Sequence, residues 1–530
     1  MRITKVIIKN YRCLDNCTVH LNKHLNIIVG DNECGKSTLL EAINLALSGQ
    51  LNGRPIQTEI HPFLFNQKIV AKYIESLKSP TPSKPPSALI ELYMEDDKSL
   101  ASLKGTNNSL KEDVPGVSLT LEFNEDFKTE YADYVAKPEL VRTLPIEYYV
   151  HRWRGFHGSE VLSRSIPIKP TLIDASTIRN NASANRYILD IIKDSLTEKQ
   201  RVDLALSYRA MKDKFLADDK VGEINKSLAK QKGVLSDKTL TVSLDTSARA
   251  SWESGIMPHL DEVPITLVGK GEQNSAKIKL AMESSDDSHL FLIEEAENHL
   301  SFSNLSALIE HISSRRGDRQ LLITTHSSFV MNKLGVDSVL LFKRGECTKL
   351  SDLPSDTQDY FLKLPGYDTL RLVLSKRAIL VEGPSDELIV QKAFYNKYGK
   401  MPLQAGVDVV TVGSLAFKRF LQIAELLKAD VSVVTDNDGD VAKLKTKYAG
   451  FDGKENIHLC FDEDIGAATL EPQLLKANNL STLNSILGKD FKTDDELLSF
   501  MEKNKTESAL KFFETQIQWN TPEYIARAIG

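Results

Sequence analysis

The run Gly30-Asp31-Asn32-Glu33-Cys34-Gly35-Lys36-Ser37 places four residues between two glycines and follows them with a lysine and a hydroxyl. The apolar LNIIV precedes it and the helix-like STLLEAINLAL follows, which is the context a phosphate-binding loop needs. Glycines let backbone amides curl around phosphate oxygens, Lys36 can neutralise the β and γ groups, and Ser37 can ligand magnesium. Gly30, Asn32, Gly35, Lys36, Ser37 and Thr38 are the expected nucleotide contacts. In LFLIEEAENHL an apolar strand delivers Glu294 and Glu295 to its carboxyl end, the usual ligand edge of an α/β sheet. Glu294 is expected in a magnesium shell and Glu295 beside an attacking water; the alternative is a helix start carrying acids for its dipole. QLLITTHSS ends a buried strand at His326, a candidate for the γ-phosphate side of the site. VGKGEQNSAKIKLAM opens a helix with a glycine-rich turn in which Gly271 and Gln273 can meet phosphate.

A second constellation lies further on. RAILVEGPSDE puts Glu382 at a strand end, and VSVVTDNDGD puts Asp436 and Asp438 at another. Residues i and i+2 share a strand face, so the two aspartates are expected to converge. Clustered carboxylates raise each other's pKa, and a divalent cation relieves them. Such a site can activate water against a phosphodiester. Taken alone, DNDGD also reads as a surface turn.

The elements that must hold these residues are legible in outline. At 530 residues the chain exceeds one core, so two to four domains are expected. With 41% hydrophobic and 26% charged residues it reads as globular. The longest apolar runs have strand length, short of the roughly 18 residues of a spanning helix, and MRITKVIIKNYR reads as a first strand, so a cytoplasmic protein without a membrane partner is expected. The five cysteines (Cys13, Cys17, Cys34, Cys347, Cys460) are odd in number and scattered, as free thiols are. A net charge of −6 requires any DNA partner to meet a local basic surface. Candidates are Arg152 with Arg154, Arg315 with Arg316, Lys418 with Arg419, and Lys443 to Lys447; each also reads as solvated surface.

Residues 3–30 and 88–123 are β-rich and flank a proline-rich loop, Ser79 to Ser87. TEKQ from Thr197 is a capping box that starts a helix. Its apolar residues Leu204, Tyr208, Met211 and Phe215 form a stripe that packs on a second subunit or on a neighbouring helix. The polar SDLPSDTQ (Ser351 to Gln358) breaks the pattern, and beyond it strands alternate with helices as in a parallel sheet.

The order of loop, glycine turn, Glu-Glu strand and strand-His resembles the ABC ATPases of the SMC and RecF type, as does the opening IKNYRCL. That resemblance implies ATP held between two protomers, the glycine signature of one closing on the nucleotide of the other. Glu294 stands where that family commonly has Asp, the signature is GKGEQ, and no Q-loop glutamine is placed, with Gln57 and Gln67 poor matches. Glu382 followed by Asp436-x-Asp438 is the Toprim pattern, and an ABC ATPase joined to a C-terminal Toprim domain resembles the OLD (overcoming lysogenization defect) nucleases, a family that includes Gabija and retron-associated relatives. On that resemblance Asp386 and Glu471 join the metal ligands and Lys505 stands near the scissile phosphate; Asp386 equally suits a helix first turn, and Glu471 a helix start.

The fold class implied is α/β: an ABC-type P-loop ATPase with a helical insertion, then a Toprim domain. The ATPase would cover residues 1–350, its insertion at about 180–235 serving dimerisation, with a connector at 351–374, the Toprim nuclease at 375–475 and a C-terminal helical part at 476–530. The implied function is an ATP-regulated, magnesium- or manganese-dependent DNA endonuclease in anti-phage defence. The resemblance implies a homodimer or higher oligomer, with an operon-encoded helicase, or a reverse transcriptase with its RNA, as the expected defence partner. The alternatives are a RecF/SMC-like repair ATPase with a non-cleaving Toprim module, and a strand-passing enzyme using Tyr395 or Tyr448 as nucleophile.

Overall fold

The computed structural model describes residues 1–30, 33–174, 192, 196–230, 238–245, 252, 257–284, 289–315, 317–327, 330, 338–343, 345–363, 372, 375, 377–413 and 416–530. Asn32 and Arg316 lie outside the described residues, as do 180–191, 193–195 and 231–235 of the expected insertion.

The chain opens with β1 (Ile3–Tyr11) and β2 (Leu14–His20), paired antiparallel. In β3 (Leu25–Val29) every residue is buried, which explains why LNIIV shows no alternation. Helix α1 (Lys36–Ser48) buries Leu39, Leu40, Ile43 and Leu45 completely. Next come β4 (Ala88–Met94), β5 (Val114–Phe123), β6 (Tyr149–Gly155) and β7 (Pro170–Asp174). Helices α2 (Glu198–Leu216) and α3 (Asp219–Ala229) follow. The capping box forms: Gln200 N donates to Thr197 Oγ1 at 3.3 Å and Thr197 N to Gln200 Oε1 at 2.9 Å. Beyond lie α4 (Lys270–Ser284), β8 (Leu290–Glu294), α5 (Phe302–Arg315), β9 (Gln320–Thr325), β10 (Val339–Lys343) and β11 (Glu346–Lys349).

Two contact units result. One comprises residues 1–2, 47–49 and 162–323, the other 3–46, 50–161 and 324–530. Within the first, β7 runs parallel to β8, and α5 buries Leu305, Leu308, Ile309 and Ile312. The stripe on α2 stays uncovered by described residues, with Leu204 37%, Met211 58% and Phe215 49% exposed. Within the second, the strands run β3-β10-β11-β2-β1-β4-β5, with β6 on β5. The expected connector contains a helix, α6 (Ser355–Lys363), because Pro354 starts the turn instead of breaking it: its carbonyl accepts from Thr357 N at 3.0 Å.

The C-terminal part of this unit alternates β12 (Arg377–Val381), α7 (Pro384–Tyr398), β13 (Val407–Thr411), α8 (Phe417–Leu427), β14 (Asp430–Val434), α9 (Val441–Tyr448) and β15 (Ile457–Cys460). All four strands are parallel, in the order β13-β12-β14-β15. The chain leaves β12 toward one side for β13 and crosses back to the other for β14. The crevice between β12 and β14 is thus a topological switch point, where open α/β sheets take their ligands. Helices α10 (Leu470–Ala477), α11 (Lys505–Glu514) and α12 (Glu523–Ala528) follow, with two more, Leu480–Leu487 and Asp494–Lys503, between the first and second of them. One core joins them to the sheet: Ile379, Val434, Leu474, Phe512 and Ile525 belong to the same buried cluster.

Candidate active site

The loop after β3 is shaped by what it touches. A Cβ on Gly30 would stand 2.2 Å from the Phe342 carbonyl oxygen of β10, and Gly35 takes φ +107° with Leu14 Cδ2 2.7 Å from where its Cβ would be. Both positions demand glycine. Lys36 is buried and its Nζ donates to Gly30 O at 3.0 Å, folding back over the loop. Leu39 N donates to Gly35 O at 2.9 Å, so α1 begins at once and aims its amino end into the loop. Ser37 is exposed and Thr38 half-buried beside Cys13, whose Sγ lies 3.3 Å from Thr38 Oγ1. His326 is half-buried just past β9, where Thr325 Oγ1 accepts from Ser327 N at 2.9 Å.

In the other unit, Glu294 is the last residue of β8 and Glu295 leaves the strand at φ +49°. Both are half-buried. Gly271 and Gln273 sit in the first turn of α4, and a Cβ on Gly271 would meet the His299 carbonyl oxygen at 2.2 Å. Gln273 Nε2 donates to Val268 O at 2.7 Å, and Asn274 Nδ2 to Asn298 O at 3.2 Å. The glycine turn is thereby strapped to the segment that follows the two glutamates.

At the switch point Glu382 comes straight off β12 and Asp436 off β14. Glu382 Oε1 accepts from Thr435 Oγ1 at 2.5 Å and from Asp436 N at 3.1 Å, so the two acidic positions are stitched together. Asp386, in the first turn of α7, accepts from Gly383 N at 2.9 Å. Glu471 is buried in the first turn of α10, where Thr469 Oγ1 donates to it at 3.1 Å, and Lys505 Nζ at the start of α11 pairs with it at 3.2 Å. Burial, then Asp386, Glu382 and Glu471, push Asp436 up to about 8. Burial likewise lifts Asp386 to about 6, against the Gly383 amide and with help from Glu382 and Glu471. Burial pulls Lys505 down, but Glu471, Asp436 and Asp386 outweigh it and hold its pKa above the ordinary value. Glu382, Asp386, Asp436, Glu471 and Lys505 thus share one electrostatic neighbourhood.

Asp438 does not join them as expected. β14 ends at Val434, so Asp436 and Asp438 lie in a turn instead of on a strand face; Asp438 is exposed with φ +49°. The residue between them, Asn437, is buried and ties the turn down, donating to the carbonyls of Asp462 at 2.8 Å and Asp464 at 2.9 Å. Neither this brace nor Thr435 was singled out from sequence, although an amide and a hydroxyl beside each aspartate were the available signal. Among the described residues no three His, Cys, Asp or Glu side chains close tightly enough to enclose an ion. The donor set still suits one: hard oxygen ligands, two of them held at raised pKa by burial and like charge, with one lysine beside four carboxylates.

The basic candidates are partly committed. Arg152 pairs with Glu122 at 3.0 Å, Arg315 with Glu283 at 3.0 Å, and Lys445 with Glu463 at 2.7 Å. Arg419 pairs with Asp356 and lies over the Tyr360 ring. Tyr448 is buried, and its phenol is pushed up by burial and by Glu382 and Asp438, which suits a hydrogen-bond donor better than a nucleophile. Tyr395 is 45% exposed on α7.

Two family models match the chain. One, described as AAA ATPase domain, matches residues 1–331. The other, described as overcoming lysogenization defect protein-like, TOPRIM domain, matches residues 373–438. The DNA replication and repair protein RecF of Acetivibrio thermocellus is 37% identical over 60 residues, which span 11% of this chain and only 16% of that curated relative. Among solved structures, the Smc head bound to the C-winged helix domain of ScpA is 13% identical with a TM-score of 0.35, covering 66% of this chain and 97% of that one. The SMC head domain from Thermotoga maritima is 14% identical with a TM-score of 0.30, covering 66% and 97%. Among the described residues no helix is long and apolar enough to cross a membrane.

Proposed function

The chain belongs to the AAA ATPase domain family and continues into an OLD-like TOPRIM domain, the architecture of an OLD-family nuclease; from that premise of an ATPase and nuclease-type hydrolase we propose an ATP-regulated, divalent-metal-dependent DNA endonuclease. The observation that carries this reading is the gathering of Glu382, Asp386, Asp436 and Glu471 with Lys505 at the switch point of the parallel sheet. Those four carboxylates would hold magnesium or manganese, with Asp438 at the rim. When bound, such an ion supplies Lewis-acid polarisation and a water of lowered pKa. Lys505 keeps its charge and faces the carboxylates, where it can neutralise a scissile phosphate. Thr435 and the Asp436 amide fix the Glu382 carboxylate.

For the ATPase, Gly30, Asn32, Gly35, Lys36, Ser37 and Thr38 would hold ATP and its magnesium, with Glu294 in the metal shell, Glu295 and His326 at the γ-phosphate, and Gly271 and Gln273 of a second protomer closing the site. Anti-phage defence in the cytoplasm and an operon partner extend this reading. It is tested by incubating supercoiled plasmid with the protein and magnesium or manganese, with and without ATP, beside Glu382→Ala. Wild type is expected to nick or cut and the variant to leave the plasmid supercoiled; equal cutting by both overturns the assignment. The local likeness to a DNA replication and repair protein favours, as a second reading, a repair ATPase with a non-cleaving module. In that case Asp436→Asn leaves function unchanged.

A further inference from the structure

Between Asp436 and Asp438 stands a side chain that turns away from solvent and toward protein. Asn437 is 3% exposed, and both ends of its amide meet backbone. Its Nδ2 donates to Asp462 O at 2.8 Å and to Asp464 O at 2.9 Å, while its Oδ1 accepts from Gly439 N at 2.8 Å. The last bond closes the turn that carries the two aspartates. The first two reach across to the segment that follows β15.

That segment leads to another acidic position. Asp464 N donates to Asp462 Oδ1 at 2.8 Å and Gly466 N to Asp464 Oδ1 at 2.9 Å, so the 462–466 loop holds its own shape. Helix α10 grips the loop from the far side. Its Lys476 Nζ lies 3.3 Å from Asp462 Oδ1 and 2.9 Å from Asp464 Oδ2, and its buried Gln473 donates through Nε2 to Ala467 O. Glu471 stands in the first turn of that same helix. A run of hydrogen bonds and ion pairs thus joins the turn of Asp436 to the helix of Glu471, and Asn437 is where it starts. Aspartate at this position would match asparagine in size but could only accept, setting a carboxylate against two carbonyl oxygens. Burial makes such a mismatch costly.

Resting on the cation-site reading above, we propose that Asn437 is a positioning residue: by tying the Asp436 turn to the loop that α10 grips, it sets Asp436 and Glu471 in register for a divalent cation. The amide itself touches no ion; it acts as the hydrogen-bonded supports behind metal ligands act. The Toprim pattern, Asp436-x-Asp438, leaves this middle position open, and the role comes from the bonds the side chain makes.

Charge and position make opposite predictions here. Asn437→Asp and Lys476→Met each leave the surroundings of the carboxylates more negative, so on charge alone each should tighten cation binding. Each also loosens the brace, so on position each should weaken it. Manganese binding by the full chain is read from the free-ion electron paramagnetic resonance signal, and the geometry of the bound ion from its own spectrum at saturation. Wild type is expected to bind and Asp436→Asn to lose binding. Asn437→Asp should bind roughly 10- to 100-fold more weakly, with an altered bound-ion spectrum, and Lys476→Met roughly two- to fivefold more weakly. Asn437→Asp binding as tightly as wild type, or more tightly, overturns the proposal while leaving the cation site standing. Weaker binding with the wild-type bound-ion spectrum would trace the loss to folding and refute the positioning role. Should Asn437→Asp fail to fold, Lys476→Met decides: weaker binding supports the proposal, and equal or tighter binding overturns it. If wild type binds no manganese, or Asp436→Asn binds as well as wild type, the cation site fails and the role of Asn437 with it.

Discussion

Asp436 bears the electrostatic strain of the site, and that strain has a sign. Its ordinary carboxyl value is 3.8, and in the folded chain it rises to about 8. Between these values the native state keeps a proton that the unfolded chain releases, so folding stability falls as pH rises through the window. The contribution is fully present below about pH 4 and gone above about pH 8; Asp386, lifted to about 6, adds to the lower half of the range. We therefore expect the chelated protein to melt at progressively lower temperature from about pH 5 to about pH 8, relative to Asp436→Asn, whose amide cannot ionise. Magnesium should recover the loss most strongly at the upper end, because a cation that binds only the folded form stabilises it. Wild type and Asp436→Asn showing parallel pH profiles in chelator would mean that the carboxylates are better solvated than their packing implies.

At the scale of elements, glycine positions separate backbone demands from incidental ones. Gly271 faces the His299 carbonyl oxygen at 2.2 Å from where a Cβ would stand, whereas a Cβ on Gly269 meets nothing within 4 Å. Gly271→Ala should therefore push α4 off the turn after β8, costing about 1–3 kcal/mol of stability and most of the ATPase activity. Gly269→Ala should melt within a degree or two of wild type, and thermal melts of the pair check this. The strap between α4 and that turn was not legible in the sequence, because it joins segments far apart in order. What was legible was local: LNIIV, LFLI and RAILV are strands because continuous apolar runs suit sheets buried on both faces. Glu382 could be placed because it abuts such a run. Asp438 could not, since the strand stops at Val434 and the turn is set by Asn437 reaching across to the 462–464 loop. Helix α10 begins at Leu470, two residues ahead of Pro472, which puts Glu471 inside the first turn and buries it.

At the scale of the whole molecule, the uncovered stripe on α2 and the glycine turn of α4 bear on the same expectation of a dimer. Only Lys212 of α2 is buried, while Leu204, Met211 and Phe215 stand 37%, 58% and 49% exposed on a helix with a complete N-terminal cap. The sequence leaves two covers open for this face, a neighbouring helix and a second subunit; were it the same face of a second copy, the contact would be the isologous one a twofold dimer makes. Replacing Met211 and Phe215 together with glutamate removes apolar area on both sides of the contact and sets like charges against each other. Each lost side chain is worth about 1–3 kcal/mol, so the dissociation constant of such a dimer should rise by roughly two orders of magnitude or more, and light scattering should show monomer where wild type is expected to be a dimer. The ATPase consequence follows from the site itself. Lys36 and the loop around it sit within one chain and should still bind nucleotide, whereas in the two-protomer site proposed above turnover would need Gly271 and Gln273 of the other protomer. The double variant is thus expected to bind ATP at near wild-type affinity, hydrolyse it slowly, and lose the ATP dependence of plasmid cutting; a variant that is monomeric yet hydrolyses ATP at the wild-type rate would place the whole ATPase site within a single chain.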